Sequence, residues 1–390
     1  MTHLGIKKML MIDITHLLGG LRRARLPEGI QRVIVFYLKN FRNNSRLVVH
    51  LGGVVFILSQ ATSRKISEFL LREKEASFWQ IMRLIAKDIF LVRDSPVKVQ
   101  KAFLFKIDHY GLKYKRYLAK LERQEIALVV MIHDLIPLEN PEYCSAKSQA
   151  KFSRNLQIIL RYAKGIITVS QATTQSLLTY LRNATHQHSP PIISALLASG
   201  LPNSSSWGER PVAEPYFVIV GRIDPRKNHL LLLRLWRILT ERLGENTPKL
   251  IILGRRGRLC EQTQILLASR DLQDVVIEHQ VNDQSLINYL YHSQALLFPS
   301  FAEGYGLPLA EALTLGVPVI ASNLEVFREI GGQVPDYIDP LDTRQWLEYI
   351  EDYAKKDSSL RSAQLERLHA FKAPSWEEHF AKIERFLETL

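Results

Sequence analysis

Cysteine is nearly missing from this chain: 390 residues hold two, Cys144 and Cys260. They stand too far apart for a metal-ligand or redox-pair spacing. A disulfide scaffold and a zinc module are thereby excluded, and two ordinary thiols of a reducing compartment remain. Long apolar runs are missing as well. The stretch 47–58 is broken by His50 and two glycines, and it falls well short of the ~20 residues a spanning helix needs. The opening MTHLGIKKMLMIDITHLLGG is interrupted by Asp13 and His16, so it reads as a first strand rather than a signal peptide. No low-complexity tract and no 20–50-residue repeat is visible. What is left is an ordinary globular composition, 46% hydrophobic and 23% charged. These features predict a cytoplasmic protein with no spanning helix.

Acidic residues are scarce in the first half. Residues 1–190 carry 30 Lys and Arg against 13 Asp and Glu, whereas the remainder carries 21 against 26. A basic half on a mildly acidic one predicts that one domain faces a polyanion. Zinc spacings, RNA-binding aromatic motifs and a recognition-helix arrangement are all absent, so nucleic acid is not the expected partner. A phosphorylated substrate or an anionic membrane surface remains.

Length alone suggests two domains, or two plus an extra. Apolar strand-like runs at 8–14, 47–58, 127–133 and 165–170, then at 216–221, 249–254, 275–279, 295–299 and 317–321, alternate with amphipathic helical patterns. That βαβ rhythm predicts an α/β protein with two doubly wound parallel sheets, broken at the turn-rich stretch 186–215. The expected domains are 1–205 and 206–370, with a final helix in 371–390 opened by a Ser375/Glu378 capping box. Residues 60–124 do not fit the alternation. They read as a basic helical excursion from the first domain.

Four constellations carry chemistry. In Pro299-Ser-Phe-Ala-Glu303-Gly-Tyr305-Gly306-Leu307-Pro308-Leu-Ala-Glu311, a strand passes through a glycine turn into a helix N-terminus, an arrangement suited to phosphate. Glu303 and Glu311 bracket that site and suit sugar hydroxyls better than phosphate. In Gly221-Arg222-Ile-Asp-Pro-Arg226-Lys227-Asn228, Arg222 and Lys227 are placed to hold a diphosphate and neutralise it as it leaves, and Asn228 to cap the next helix. No D-x-D metal motif stands near a strand end, so neither a metal nor another cofactor is expected. His133-Asp134 ends a strand, where the imidazole can donate to a sugar hydroxyl or an acceptor phosphate. Gly29 opens a helix after the first strand and offers amides to an anion.

These motifs resemble the retaining glycosyltransferases of family 4, which have the GT-B fold. The likeness rests on Glu303 and Glu311 around a G-Y-G-L-P interior and on G-R-x-x-x-x-K-N at Gly221, Arg222, Lys227 and Asn228. It runs from about residue 216 to 330 and is looser in the first domain. Chains with I-D-x-T near the start and G-I-Q-R-V later resemble enzymes of bacterial surface polysaccharides. The resemblance implies two Rossmann-like domains facing a cleft and a final helix packing back on the first domain. Catalytic roles fall to Glu303, Lys227, Arg222 and His133. Donor contacts fall to Glu311 at the ribose, to the backbone of Tyr305, Gly306 and Leu307, to Gly29 and to Gly254. A nucleotide-sugar would serve as substrate, with a glycan or lipid-linked acceptor. The family's Gly-Gly pair after the first strand is replaced by Glu28-Gly29, with Gly19-Gly20 earlier in a longer loop. Two other readings stand beside the transferase: a nucleotide-sugar epimerase on the same fold, and a polyanion- or membrane-binding adaptor with an inactive core.

Overall fold

Short aliphatic runs bounded by glycine, asparagine or a charged residue become strands along the whole chain. The computed structural model describes residues 9–23, 29–72, 77–91, 102–184, 189–201, 208–257 and 261–390. Glu28, Cys260 and the expected boundary at 205/206 lie outside them. The first unit comprises Met1–Leu196 with Glu377–Leu390, and the second Leu197–Trp376.

The first unit holds β1 (Met9–Asp13), β2 (Ser45–Leu51), β3 (Val54–Ile57), β4 (Ala102–Lys106), β5 (Ile126–Ile132), β6 (Gly165–Thr168) and β7 (Ile192–Ser194), in the order β3-β2-β1-β4-β5-β6-β7. Only β2 and β3 pair antiparallel. The run 47–58 is therefore a hairpin, not one strand. Gly52 and Gly53 turn it with φ of 56° and 89°, a pair of left-handed residues that matches a two-residue hairpin. The stretch 60–124 also departs from expectation. It contributes three helices, Gln60–Leu71, Phe78–Leu91 and Lys115–Arg123, but between the second and third it supplies β4, which is buried between β1 and β5. The flanking lysines disguise this strand. Lys106, its last residue, is fully buried because its charge is paired internally. β7 likewise lies in the stretch read as a break.

Asp88 explains how helix Phe78–Leu91 docks. Its carboxylate accepts from Ser59 N, Ser59 Oγ and Thr62 Oγ1 at 2.8, 2.5 and 2.7 Å, at the N-terminus of helix Gln60–Leu71. Ile81 and Ile85 are buried beside it, whereas Trp79 and Phe90 are 72% and 80% exposed. The helix Trp376–Thr389 packs within the same unit. His379 Nδ1 donates to Leu196 O, its Nε2 accepts from Tyr37 Oη, and Phe380 lies edge-on to Tyr37 and Phe41.

The second unit holds β8 (Tyr216–Val220), β9 (Lys249–Leu253), β10 (Val276–His279), β11 (Leu296–Phe298), β12 (Val319–Ser322) and β13 (Asp336–Ile338), all parallel, ordered β10-β9-β8-β11-β12-β13. The helix His229–Leu243 covers it with Leu232, Leu235 and the buried Trp236, whose indole donates to Pro248 O. In each sheet the direction of winding reverses once, between β1 and β4 and between β8 and β11. Ligands of such sheets sit outside the carboxyl ends of the strands at that reversal.

Candidate active site

At the reversal in the second sheet, the loops 221–228 and 299–306 follow β8 and β11. Gly221 turns with φ 129°, and a Cβ there would press on the Lys227 side chain. Pro225–Lys227 then forms one 3₁₀ turn. This undoes the strand alternation that would send neighbouring side chains apart. Lys227 Nζ lies 2.5 Å and Arg226 Nη1 2.8 Å from the same atom, Glu303 Oε1, to which Ser300 Oγ also donates at 2.9 Å. Arg226 also donates to Ala302 O, and Phe301 N donates back to Arg226 O. Lys227 rests over the ring of Phe298 at 4.5 Å.

Burial alone would raise the Glu303 carboxyl. The Lys227 and Arg226 charges outweigh it and hold it at about 2. The carboxylate is thus ionised at neutral pH. Two cations against one anion leave a local surplus of positive charge, which suits an anionic group.

The structure brings together only part of the expected clamp. Arg222 is outside the cluster: its side chain is 61% exposed and reaches Asp224 at 3.6 Å. Arg226, to which the sequence assigned no role, stands beside Lys227 on Glu303 instead. The available signal was the Pro-Arg-Lys string, because a proline that starts a 3₁₀ turn can bring adjacent residues onto one partner. Asn228 does not cap the following helix. It sits at φ 54° and sends its amide to Pro340 O.

Gly306, at φ 110°, precedes the helix Leu307–Thr314, and a Cβ there would strike the Phe327 ring. Pro308 has no N–H, and the helical ladder starts with Leu309 and Ala310 donating to Gly306 O. The amides of Tyr305, Gly306 and Leu307 precede it. The Tyr305 side chain is buried with its hydroxyl on Leu197 O, so this residue offers backbone. Glu311 is buried in the second turn. Gly254 has a packing reason: a Cβ would lie 2.0 Å from Gly221 O.

In the first unit, Gly29 precedes helix Ile30–Phe41 at φ 49° with open space beyond its Cα, so its need for glycine is conformational. Gly19 and Gly20 lie inside the helix Thr15–Leu21, not in a loop. His133 and His109 make a reciprocal pair of bonds. His133 Nε2 reaches Ile107 O at 2.7 Å, and His109 Nε2 reaches Met131 O at 3.0 Å. A carbonyl only accepts, so Nε2 of His133 carries the hydrogen, and burial lowers its pKa to about 4. At neutral pH its remaining nitrogen, Nδ1, is an acceptor. A donating role at that position does not fit this geometry.

Residues 206–360 match the family model described as Glycosyl transferases group 1. The match lies within the second unit. The chain is 29% identical over 219 residues to the serotype-specific mannosyltransferase WbdA of Escherichia coli, covering 51% of this chain and 26% of that protein. To the O-antigen chain mannosyltransferase RfbU of Salmonella typhimurium it is 26% identical over 224 residues, 57% of this chain and 60% of that one. The chain thus spans about a quarter of the first relative's length and under two thirds of the second's. Among solved structures, Anabaena HepE in complex with UDP-glucose superposes with a TM-score of 0.65 at 14% identity, covering 98% of this chain and 100% of that one. That likeness, with the two parallel-sheet units, defines a GT-B fold.

Proposed function

We propose that this protein is a retaining, metal-independent glycosyltransferase that moves a hexose from a nucleotide-sugar to a growing bacterial surface glycan. The glycan would be lipopolysaccharide, O-antigen or capsule on a lipid carrier. The observation that carries the reading is the Glu303–Lys227–Arg226 cluster, a preorganised cationic site at the winding reversal of the second sheet. Mannose is the first hexose to test, because relatives over half of this chain are named as mannosyltransferases.

In this reading the bond between the anomeric carbon and the diphosphate oxygen breaks while negative charge grows on the leaving group. Lys227, Arg226 and the amides at 305–307 stabilise that charge with little reorganisation. Glu303 holds both cations in place and stands ready to meet a sugar hydroxyl. The acceptor oxygen bonds the anomeric carbon on the face the diphosphate leaves, and its proton passes to a departing phosphate oxygen. The nucleotide-binding test is a thermal-shift screen against GDP-, UDP- and dTDP-sugars. A donor at 100 times its dissociation constant adds about 2.7 kcal/mol. No shift with any of them, and no nucleotide released with any acceptor, would end this reading.

A lipid carrier requires the protein to work at a membrane, and the outer face of helix Phe78–Leu91 suits that. Among the described residues no helix is long and apolar enough to cross a membrane. Trp79 and Phe90 fall on one stripe three turns apart, with Arg83 and Lys87 exposed beside them. Such a face lies in an anionic interface, where each Lys or Arg adds about 1 kcal/mol. In liposome flotation the protein is expected to rise with anionic vesicles, less at high salt, and less when Trp79 and Phe90 are replaced by serine. Equal recovery with neutral and anionic vesicles would exclude electrostatic docking.

A further inference from the structure

The winding reversal of the first sheet carries a second charged cluster, distinct from the one around Glu303. Asp13 ends β1, Lys106 ends β4, and Asp108 follows two residues later. Lys106 Nζ lies 2.7 Å from Asp13 Oδ2 and 3.5 Å from Asp108 Oδ1. Thr15 N and Tyr117 Oη complete Asp13, at 2.9 and 2.8 Å. Asp108 is left incomplete. Its Oδ1 accepts from Tyr110 N at 2.6 Å, but its Oδ2 is buried and has no hydrogen-bond partner, although the residue is only 4% exposed.

A buried carboxylate oxygen without a donor is costly, and native structures seldom leave one unmet. The missing partner must be a donor, because two carboxylates outnumber one ammonium here, the reverse of the cluster around Glu303. That balance disfavours phosphate. A metal is also disfavoured, since among the described residues no three His, Cys, Asp or Glu converge on one point. Tyr110, two residues on, stacks on His50 at 5.4 Å and on His16 at 6.3 Å, yet is still 46% exposed, so part of its ring faces solvent near the carboxylate. Gly111, at φ 94°, allows this: a Cβ there would strike the His50 ring.

We propose that Asp108 Oδ2 and the Tyr110 ring form a subsite for a neutral sugar, the carboxylate accepting from a hydroxyl of the acceptor glycan. The inference rests on the transferase reading, deepens it on the acceptor side, and is tested without turnover. Saturation-transfer NMR uses the whole protein with mannose, glucose and galactose disaccharides and no nucleotide. At least one disaccharide is expected to receive saturation from the wild type. Asp108→Asn keeps the shape and the bond to Tyr110 N but offers a donor where an acceptor is needed. It should weaken that binding about ten- to a hundredfold, the range for a hydrogen bond to a charged group. Tyr110→Ala should weaken it as well. Nucleotide titration of both variants should match the wild type, which also shows that they are folded. Unchanged disaccharide binding in Asp108→Asn overturns the subsite. So does silence from the wild type with all three disaccharides, or loss of nucleotide and sugar binding together, which would make Asp108 structural. A wild type that binds sugar but no nucleotide overturns the transferase reading instead and leaves the subsite standing.

Discussion

Replacing Lys227 with alanine is expected to lower turnover about a hundredfold or more while the protein stays folded. The magnitude is that of losing one preorganised donor to a developing negative charge. Lys227 is buried, lies against Phe298 and reaches the cluster from a rigid 3₁₀ turn, so its charge acts in a poorly screened place. Removing one partner of a buried pair usually destabilises strongly, because the other charge is stranded. Here Glu303 keeps Arg226 at 2.8 Å and Ser300 at 2.9 Å, so the carboxylate is not left alone. Arg222→Ala is the internal comparison. Its side chain is largely exposed, and its loss should cost turnover far less than that of Lys227 or Arg226. The measurement is nucleotide released per enzyme at saturating donor, with a thermal melt to confirm folding. Near-wild-type turnover in Lys227→Ala, or a larger loss in Arg222→Ala, would sink the assignment.

The contrast between Arg222 and Arg226 shows where sequence reading works and where it stops. Five strands of the second sheet are legible as apolar runs, and β8, β9 and β11 end at a glycine or a loop proline; the sixth, β13, is a three-residue strand opened by aspartate and carries no such run. The expected strand at 249–254, for instance, became Lys249–Leu253 and then the turn at Gly254. The placement of Glu303 and Lys227 after two strand ends was legible for the same reason. Which cation completes the pair was not, because that depends on a local 3₁₀ turn rather than on period. In the first unit the difficulty is burial of charge. A five-residue strand ending in lysine reads as part of a basic helix until β1 and β5 flank it and Asp13 neutralises the lysine. The partners Asp13 and Lys106 are 93 residues apart, and only the strand order brings them together. That His133 follows the end of β5 was legible, but its proton could be placed only once the Ile107 carbonyl was seen.

Lys106 therefore supplies the sharpest stability test. Lys106→Met keeps the length of the side chain and removes its charge from a site with no exposure. Asp13 would keep Thr15 N and Tyr117 Oη but lose the ammonium at 2.7 Å, leaving a buried carboxylate without its counter-charge. Breaking a buried pair from one side costs about 3–5 kcal/mol. For a unit of this size that is roughly 6–20 °C in the unfolding midpoint. The pH dependence gives the sign. In the wild type, burial raises the Asp13 carboxyl, but Lys106 outweighs it and the net shift is downward. That contribution is present above the unfolded value of about 3.9 and is lost as pH falls through the folded value. In Lys106→Met the lysine's lowering effect is gone, and burial is opposed only by the Thr15 N–H and His50, so the carboxyl moves upward from its wild-type value and acid costs the variant less than the wild type. The gap between variant and wild type should therefore narrow between about pH 7 and about pH 3.5. The double variant Asp13→Asn/Lys106→Met should recover much of the loss at neutral pH, because replacing a whole buried pair costs far less than breaking it. Urea unfolding midpoints of the three proteins at both pH values check this. A single variant within about 1 kcal/mol of wild type, which is the usual range for an exposed pair, would mean that Lys106 is not holding the carboxyl ends of β1 and β4 together.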